Sequence, residues 1–336
     1  MLRKILLTSV AFAFVAAAPA KEFLVYFGTY TNALSRGIYV TRLDADTGKI
    51  SAPELAAEVA NPCFLNLSPD SRFLYSANSK KFDGNNGSVS AFAVDKKSGQ
   101  LKWLNEKSSG GNGPCHVSVD ASGKVLLAAN YGSGSVKSFW LENDGSIGAD
   151  GSLLQHTGSS VNTNRQTAPH AHFIAVDPGN RFALTCDLGL DRVMAYRLNL
   201  TNAALEVQYG YSMADVPPGA GARHLAFSHD GKSAYVLNEM GCSISRFGWD
   251  AKNGLLEPHE TISALPAGVE VQKNFTAAEI LVHPSGKFVY ATLRGHDSVS
   301  VFAAKKSGKL TFVQNISCGG KVPRGQIGRA SCRERV

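Results

Sequence analysis

A strand–turn–strand phrase repeated about every fifty residues predicts an all-β fold, a seven-bladed β-propeller of four-stranded antiparallel blades. Two further observations support it. Each copy of the phrase is followed by a third and a fourth strand-like segment, and no stretch of helical period appears after the first twenty residues. A large β-sandwich is the alternative, but it gives no reason for so regular a recurrence.

The copies run in order. Phe23–Tyr30 matches a second strand, because Tyr26-Phe27-Gly28-Thr29 aligns with Tyr75-Ser76-Ala77-Asn78 of the first full copy. Blade one is therefore expected to lack its innermost strand. Pro62–Asn78, Pro114–Asn130, Ala171–Asp187, Gly221–Asn238 and Ala278–Thr292 carry the first two strands of five full units. Third strands are expected at Ser88–Val94, Ser135–Leu141, Arg192–Leu198, Ser243–Trp249 and Ser298–Ala303, and fourth strands at segments such as Leu101–Asn105 and Leu310–Gln314. A seventh unit opens at Val322-Pro323-Arg324, so the propeller is expected to be truncated in its last blade, an open ring with exposed edge strands.

Both ends are expected to lie outside the fold. Residues 1–20 have the layout of a secretory signal peptide: Arg3 and Lys4, an apolar run from Ile5 to Ala18, and Ala18-Pro19-Ala20 as a small-residue cleavage site. The expectation is a periplasmic or secreted protein with no membrane association after cleavage; an uncleaved anchor is the other reading. Residues 21–326 form the propeller domain. Residues 327–336 follow no pattern found elsewhere and read as a non-native tail, like an adapter translated in frame.

The formal net charge of +7 is largely an end effect. Setting aside Arg3, Lys4 and the tail leaves about +3, too little to argue for nucleic acid or an acidic membrane as partner. Five cysteines lie in the body, far apart and without a C-x-x-C pair, so neither a disulfide nor a metal site is expected. The expected partner is a small molecule, the expected cofactors are none, and the chain is expected to be a monomer.

Chemistry concentrates in two repeat positions. In a blade the first strand runs along the channel and the second returns, so the start of one and the end of the other share a face. The first position holds Cys63, Cys115, His172, Arg223, Ala278 and Arg324; the second holds Tyr30, Ser79, Tyr131, Leu188, Glu239 and Arg294. His172, Arg223, Glu239 and Arg294 thus converge from three consecutive blades on one sector of a channel mouth. The plain alternative for Arg223 and Glu239 is an ion pair stitching one blade. His116, Tyr131, His170, His224 and His296 lie near the same face and are candidates for substrate contact, with polar blade packing an equally open reading of the histidines.

At these residues the chain resembles the seven-bladed β-propeller lactonases, the family of one type of bacterial 6-phosphogluconolactonase and of fungal carboxymuconate-lactonizing enzyme. The matching phrases are Phe27-Gly28-Thr29-Tyr30, Ala129–Ser135, Pro169-His170-Ala171-His172, Gly221-Ala222-Arg223-His224, Asn238-Glu239 and Arg294–Ser298. The resemblance implies a catalytic set of His172, Arg223, Glu239 and Arg294. Ala222 and Leu293 depart from the family's usual residues beside the two arginines without removing a reactive group. The implied activity is hydrolysis of a sugar lactone, 6-phosphogluconolactonase-like and metal-independent. The alternatives are a non-catalytic exported propeller binding carbohydrate or peptide, and a lactonizing cycloisomerase. On this reading Glu239 is the base and Glu239→Gln should lose turnover with little change in melting temperature.

Overall fold

The computed structural model describes residues 22–31, 34–207 and 213–325; the expected signal peptide and the tail lie outside them. Among the described residues there are six antiparallel sheets. The first holds β1 (Glu22–Gly28), β2 (Gly37–Asp44) and β3 (Glu54–Glu58). The second holds β4 (Pro62–Leu67), β5 (Phe73–Asp83), β6 (Asn86–Val94) and β7 (Leu101–Ser108), and the third β8 (Pro114–Val119), β9 (Val125–Asn130), β10 (Ser135–Leu141) and β11 (Ile147–Gln155). The fourth runs β12 (Ala171–Val176), β13 (Phe182–Asp187) and β14 (Arg192–Asn199), with β15 (Ala204–Val207) and β16 (Met213–Asp215) both pairing β14. Next come β17 (Ala222–Phe227), β18 (Ser233–Asn238), β19 (Ser243–Asp250) and β20 (Leu255–Ser263). The last sheet is β21 (Thr276–Val282), β22 (Phe288–Arg294), β23 (Ser298–Ala304) and β24 (Leu310–Ser317).

These are the blades of a propeller, each pairing its strands in sequence order. The expected strands fall within a few residues of the observed ones. Blade four departs from the four-strand rule: two short outer strands pair successive stretches of β14.

The second strands β9, β13 and β18 are buried on both faces, and their alternation divides each between two neighbours. On β18, Ala234 and Val236 pack toward blade four with Phe182 and Leu184, while Tyr235 and Leu237 pack toward blade six with Val289 and Ala291. On β9, Leu126 and Ala128 join blade two, while Val125, Leu127 and Ala129 join blade four. The core is thus a series of wedges between blades, a consequence of the period-two pattern.

A tyrosine latch repeats with it. The hydroxyls of Tyr26, Tyr75 and Tyr235 donate to the carbonyls of Gly99, Gly145 and Gly308, at 2.9, 2.9 and 2.7 Å. Each glycine lies in the turn after the third strand of the next blade. Tyr26 therefore gives β1 the rank of a second strand, in line with the sequence alignment.

Gly134 shows how tightly adjacent blades meet. Its φ is +62°, and an added Cβ would stand 2.4 Å from the Cβ of Pro169, two residues before the next innermost strand. Gly134→Ala combines a left-handed backbone with a clash, and is expected to cost about 2 kcal/mol or more. A denaturant midpoint equal to that of the parent chain would show that the two blades separate more easily than this packing implies.

Candidate active site at the channel mouth

The innermost strands share one irregularity. Register shifts between Pro62 and Phe64, Pro114 and His116, Ala171 and Phe173, Ala222 and His224, and Ala277 and Ile280. Each shift is a β-bulge, which turns two successive side chains to one side of the strand where a regular strand alternates them. The first residue of each bulge is Cys63, Cys115, His172, Arg223 or Ala278, the position singled out from the sequence.

The residue after each of these forms a second tier, Phe64, His116, Phe173, His224 and Glu279. His116 lies between Phe64 and Phe173, with ring centroids at 4.2 and 4.4 Å, and 5.4 Å from His224. His224 Nδ1 bonds Glu279 Oε1 at 2.9 Å. These side chains pack on one another from strand to strand across the blades.

Cys63, Cys115 and His172 of the first tier border a cavity of about 430 Å³, lined also by Tyr30, Tyr131, Arg165, Glu239, Arg294 and Arg324 among others. In its wall the carboxylate of Glu239 meets three guanidinium groups. Oε2 accepts from Arg223 Nε at 2.9 Å and forms an ion pair with Arg294 Nη2 at 2.9 Å, and Oε1 accepts from Arg165 Nη2 at 2.9 Å. The four side chains differ in exposure: 6% for Glu239, 2% for Arg223, 14% for Arg294 and 40% for Arg165. Burial alone would raise the pKa of Glu239, but Arg223, Arg294 and Arg165 outweigh it and hold the carboxyl below its ordinary range.

Arg223 does not line the cavity. It stands behind Glu239, with Nη1 donating to the Ala278 carbonyl, and burial outweighs its carboxylate partner to bring its pKa down to about 10. Arg294 Nη2 also donates to the Ala277 carbonyl at 2.9 Å. His172 lines the cavity, and its Nδ1 is buried without a hydrogen-bond partner. Burial, and then Arg223 and His224, push its pKa well below that of a free histidine, so the ring is neutral at pH 7.

The structure thus gathers His172, Arg223, Glu239 and Arg294 at one mouth. Of the five residues expected to contact substrate, Tyr131 lines the cavity and the other four stand elsewhere. His116 and His224 belong to the packed second tier, because the bulge sets them below its first residue. His170 stacks on Tyr131 (centroids 4.4 Å, interplanar angle 13°) and bonds its carbonyl, and His296 bonds Ser298 Oγ at 2.6 Å beside Phe275.

Arg165 escaped the repeat comparison because it lies between blades, where no equivalent position exists. The signal available was length: fifteen residues separate β11 from β12, against five between β7 and β8. Long ordered connections in compact folds tend to carry function. The cysteines at the cavity are free; burial pushes the Cys63 thiol up to about 11, which keeps it protonated and unreactive at pH 7. Among the described residues no cluster of three or more His, Cys, Asp or Glu is placed to hold a metal ion.

Fold and cavity together define a β-propeller with a basic, carboxylate-centred pocket at one channel mouth. The family described as lactonase, 7-bladed beta-propeller, matches residues 24–327. The 6-phosphogluconolactonase of Bacillus subtilis (strain 168) is 37% identical over 304 residues, 90% of this chain and 84% of the relative. One from Formosa agariphila is 30% identical over 305 residues, 89% and 84% of the two chains. The solved structure of a periplasmic gluconolactonase from Pseudomonas aeruginosa superposes with a TM-score of 0.83 at 30% identity, over 90% of this chain and 85% of that one. The chain belongs to the seven-bladed β-propeller lactonase family, and its reaction class is that of a carboxylic ester hydrolase.

Proposed function

We propose that this protein hydrolyses a sugar lactone, 6-phosphogluconolactonase-like, at the cavity around Glu239. The observation that carries the reading is the Glu239 carboxylate in the cavity wall, with basic side chains around it and a neutral, unpartnered imidazole nearby. Ring opening needs a water made nucleophilic, positive charge where the carbonyl oxygen becomes negative, and a proton for the departing ring oxygen. Glu239 takes the proton from water as the new C–O bond forms. Arg294 faces the oxyanion, and Arg223 holds Glu239 ionised and oriented from behind. As the ring C–O bond breaks, neutral His172 gives its ring N–H proton to the alkoxide and takes in its place the proton that Glu239 had accepted, which returns Glu239 to its charged form. These side chains supply every charge and proton the steps require, so the proposed route uses no metal.

Two lactones fit the class. The curated relatives favour a phosphorylated one. The signal-like first twenty residues and the periplasmic gluconolactonase neighbour favour export and an unphosphorylated one. Base uptake in a pH-stat, with 6-phosphoglucono-δ-lactone and glucono-δ-lactone offered separately, tests both. The expected result is a saturable rate above spontaneous opening for at least one lactone. A rate equal to spontaneous opening for both would overturn the reading in favour of a binding propeller.

A further inference from the structure

In the ligand-free cavity Glu239 is not poised to accept a proton. Both oxygens are engaged, and three guanidinium groups at 2.9 Å stabilise the charged form. A base at this position needs one of them to leave.

Only one is free to do so. Arg223 is 2% exposed, and its guanidinium also bonds the Ala278 carbonyl. Arg294 is 14% exposed and also tied to the Ala277 carbonyl. Arg165 is 40% exposed, and its other hydrogen bond is to a neutral group, the Tyr131 hydroxyl at 3.1 Å.

The loop that carries Arg165 is itself well fastened. Asn162 Oδ1 accepts from the backbone N–H groups of Asn164 and Arg165, Gln166 Nε2 donates to the Leu188 carbonyl at 2.8 Å, and Ser160 Oγ donates to Asp191 at 2.5 Å. Release therefore means rotation of one side chain, not opening of a loop. A guanidinium leaves a carboxylate at little cost only for another anion, and its planar fork accepts a phosphate or carboxylate in two bonds.

We propose that Arg165 is the specificity-determining residue of this site: the anionic group of an incoming lactone draws its guanidinium off Glu239 Oε1, and the vacated oxygen accepts the proton of the attacking water. The exchange keeps every charge paired. It makes the base available only when a substrate of the right charge is in place. This rests on the lactonase reading above and adds to it the substrate's charge and the means by which binding starts the reaction.

The test compares the parent protein with Arg165→Gln and Arg165→Lys. It measures initial rates on 6-phosphoglucono-δ-lactone and on neutral glucono-δ-lactone between pH 5 and 8, and 6-phosphogluconate binding by calorimetry. Arg165→Gln is expected to lose about 10- to 100-fold in kcat/KM on the phosphorylated lactone, mainly through KM, and to bind 6-phosphogluconate weaker by a similar factor. Its rate on the neutral lactone should rise, because Glu239 Oε1 is then free of a guanidinium without an anionic substrate to remove it; an unchanged rate there would count against the proposal. The acid limb of kcat/KM should move to higher pH, because Glu239 has one cation fewer. Arg165→Lys should restore part of the binding but not the full preference, since an ammonium lacks the fork.

Equal losses on both lactones, with an unmoved acid limb and unchanged 6-phosphogluconate binding, would overturn the proposal and leave Arg165 a structural tie. A parent protein that opens neither lactone would remove the lactonase reading and this proposal with it. Activity in the parent protein therefore separates the two failures.

Discussion

Glu239→Gln is expected to lower lactone turnover by about 10³-fold, the size of a lost general base, and to lower the melting temperature as well. The second half revises the expectation drawn from sequence, which treated the position as replaceable without structural cost. Arg223 is 2% exposed and Glu239 is its hydrogen-bonded carboxylate. Neutralising the carboxylate leaves a buried cation without its counter-charge, and removing one member of a buried pair costs about 3–5 kcal/mol. The amide keeps the shape and one acceptor, so the loss should fall near the lower end. For a domain of this size that is a fall of roughly 6–10 °C. Differential scanning calorimetry beside the pH-stat assay reads both effects. The double variant Arg223→Met, Glu239→Gln should regain part of the stability and none of the activity. An unchanged melting temperature in Glu239→Gln would mean that Glu279, the other carboxylate acting on Arg223, already neutralises it.

Stability should also fall early on acidification, well before the ordinary carboxylates titrate. His116, His172 and His224 are each about 5% exposed or less. Burial, the largest cause, and then neighbouring positive groups hold all three below the ordinary histidine range; Glu279 partly opposes this at His224. In the unfolded chain the same groups take up protons near pH ~6.5. The sign follows from proton counting. Below that pH the unfolded state binds more protons than the folded one, so stability declines as pH falls, by up to about 1.4 kcal/mol per pH unit for each histidine.

Glu239 and Glu279, both held low by their cationic partners against the opposing effect of burial, add to the loss in the same direction. Their contribution is present above the ordinary carboxylate pKa of ~4.3 and is lost as pH falls through their lower folded values. Melting temperatures should therefore be nearly level from pH 7.5 to about 6.5 and drop steadily from there to pH 5. His116→Phe fits between Phe64 and Phe173 and removes one titrating ring, so it should flatten the slope by about one proton. An identical slope in that variant would show that His116 is protonated in the fold.

The blades, and the repeat positions that bring the candidate residues to one channel mouth, were legible because both repeat. Alternating apolar residues bounded by turn residues mark each strand, and a position that recurs in five blades reveals a Cys, His or Arg as out of pattern. The depth of a side chain was not legible. His116 and His224 each follow a bulge residue by one position, and only the bulge decides that both pack in the layer beneath, while Cys115 reaches the cavity and Arg223 the back of Glu239. Nor was the state of Glu239. Sequence places a carboxylate beside two arginines, but the third comes from the long connection between β11 and β12, outside the repeated strands. It is the spread of exposure, from 2% at Arg223 to 40% at Arg165, that separates a fixed partner from a removable one.

A crystal structure with 6-phosphogluconate bound would test the central claim most directly, that the lactone is opened at this mouth against Glu239. The account predicts the ligand in the cavity bordered by Tyr131, His172 and Arg294, its anionic end on Arg165, and Arg165 withdrawn from Glu239 Oε1. A ligand seated elsewhere on the propeller, with the three guanidinium groups still on Glu239, would contradict it.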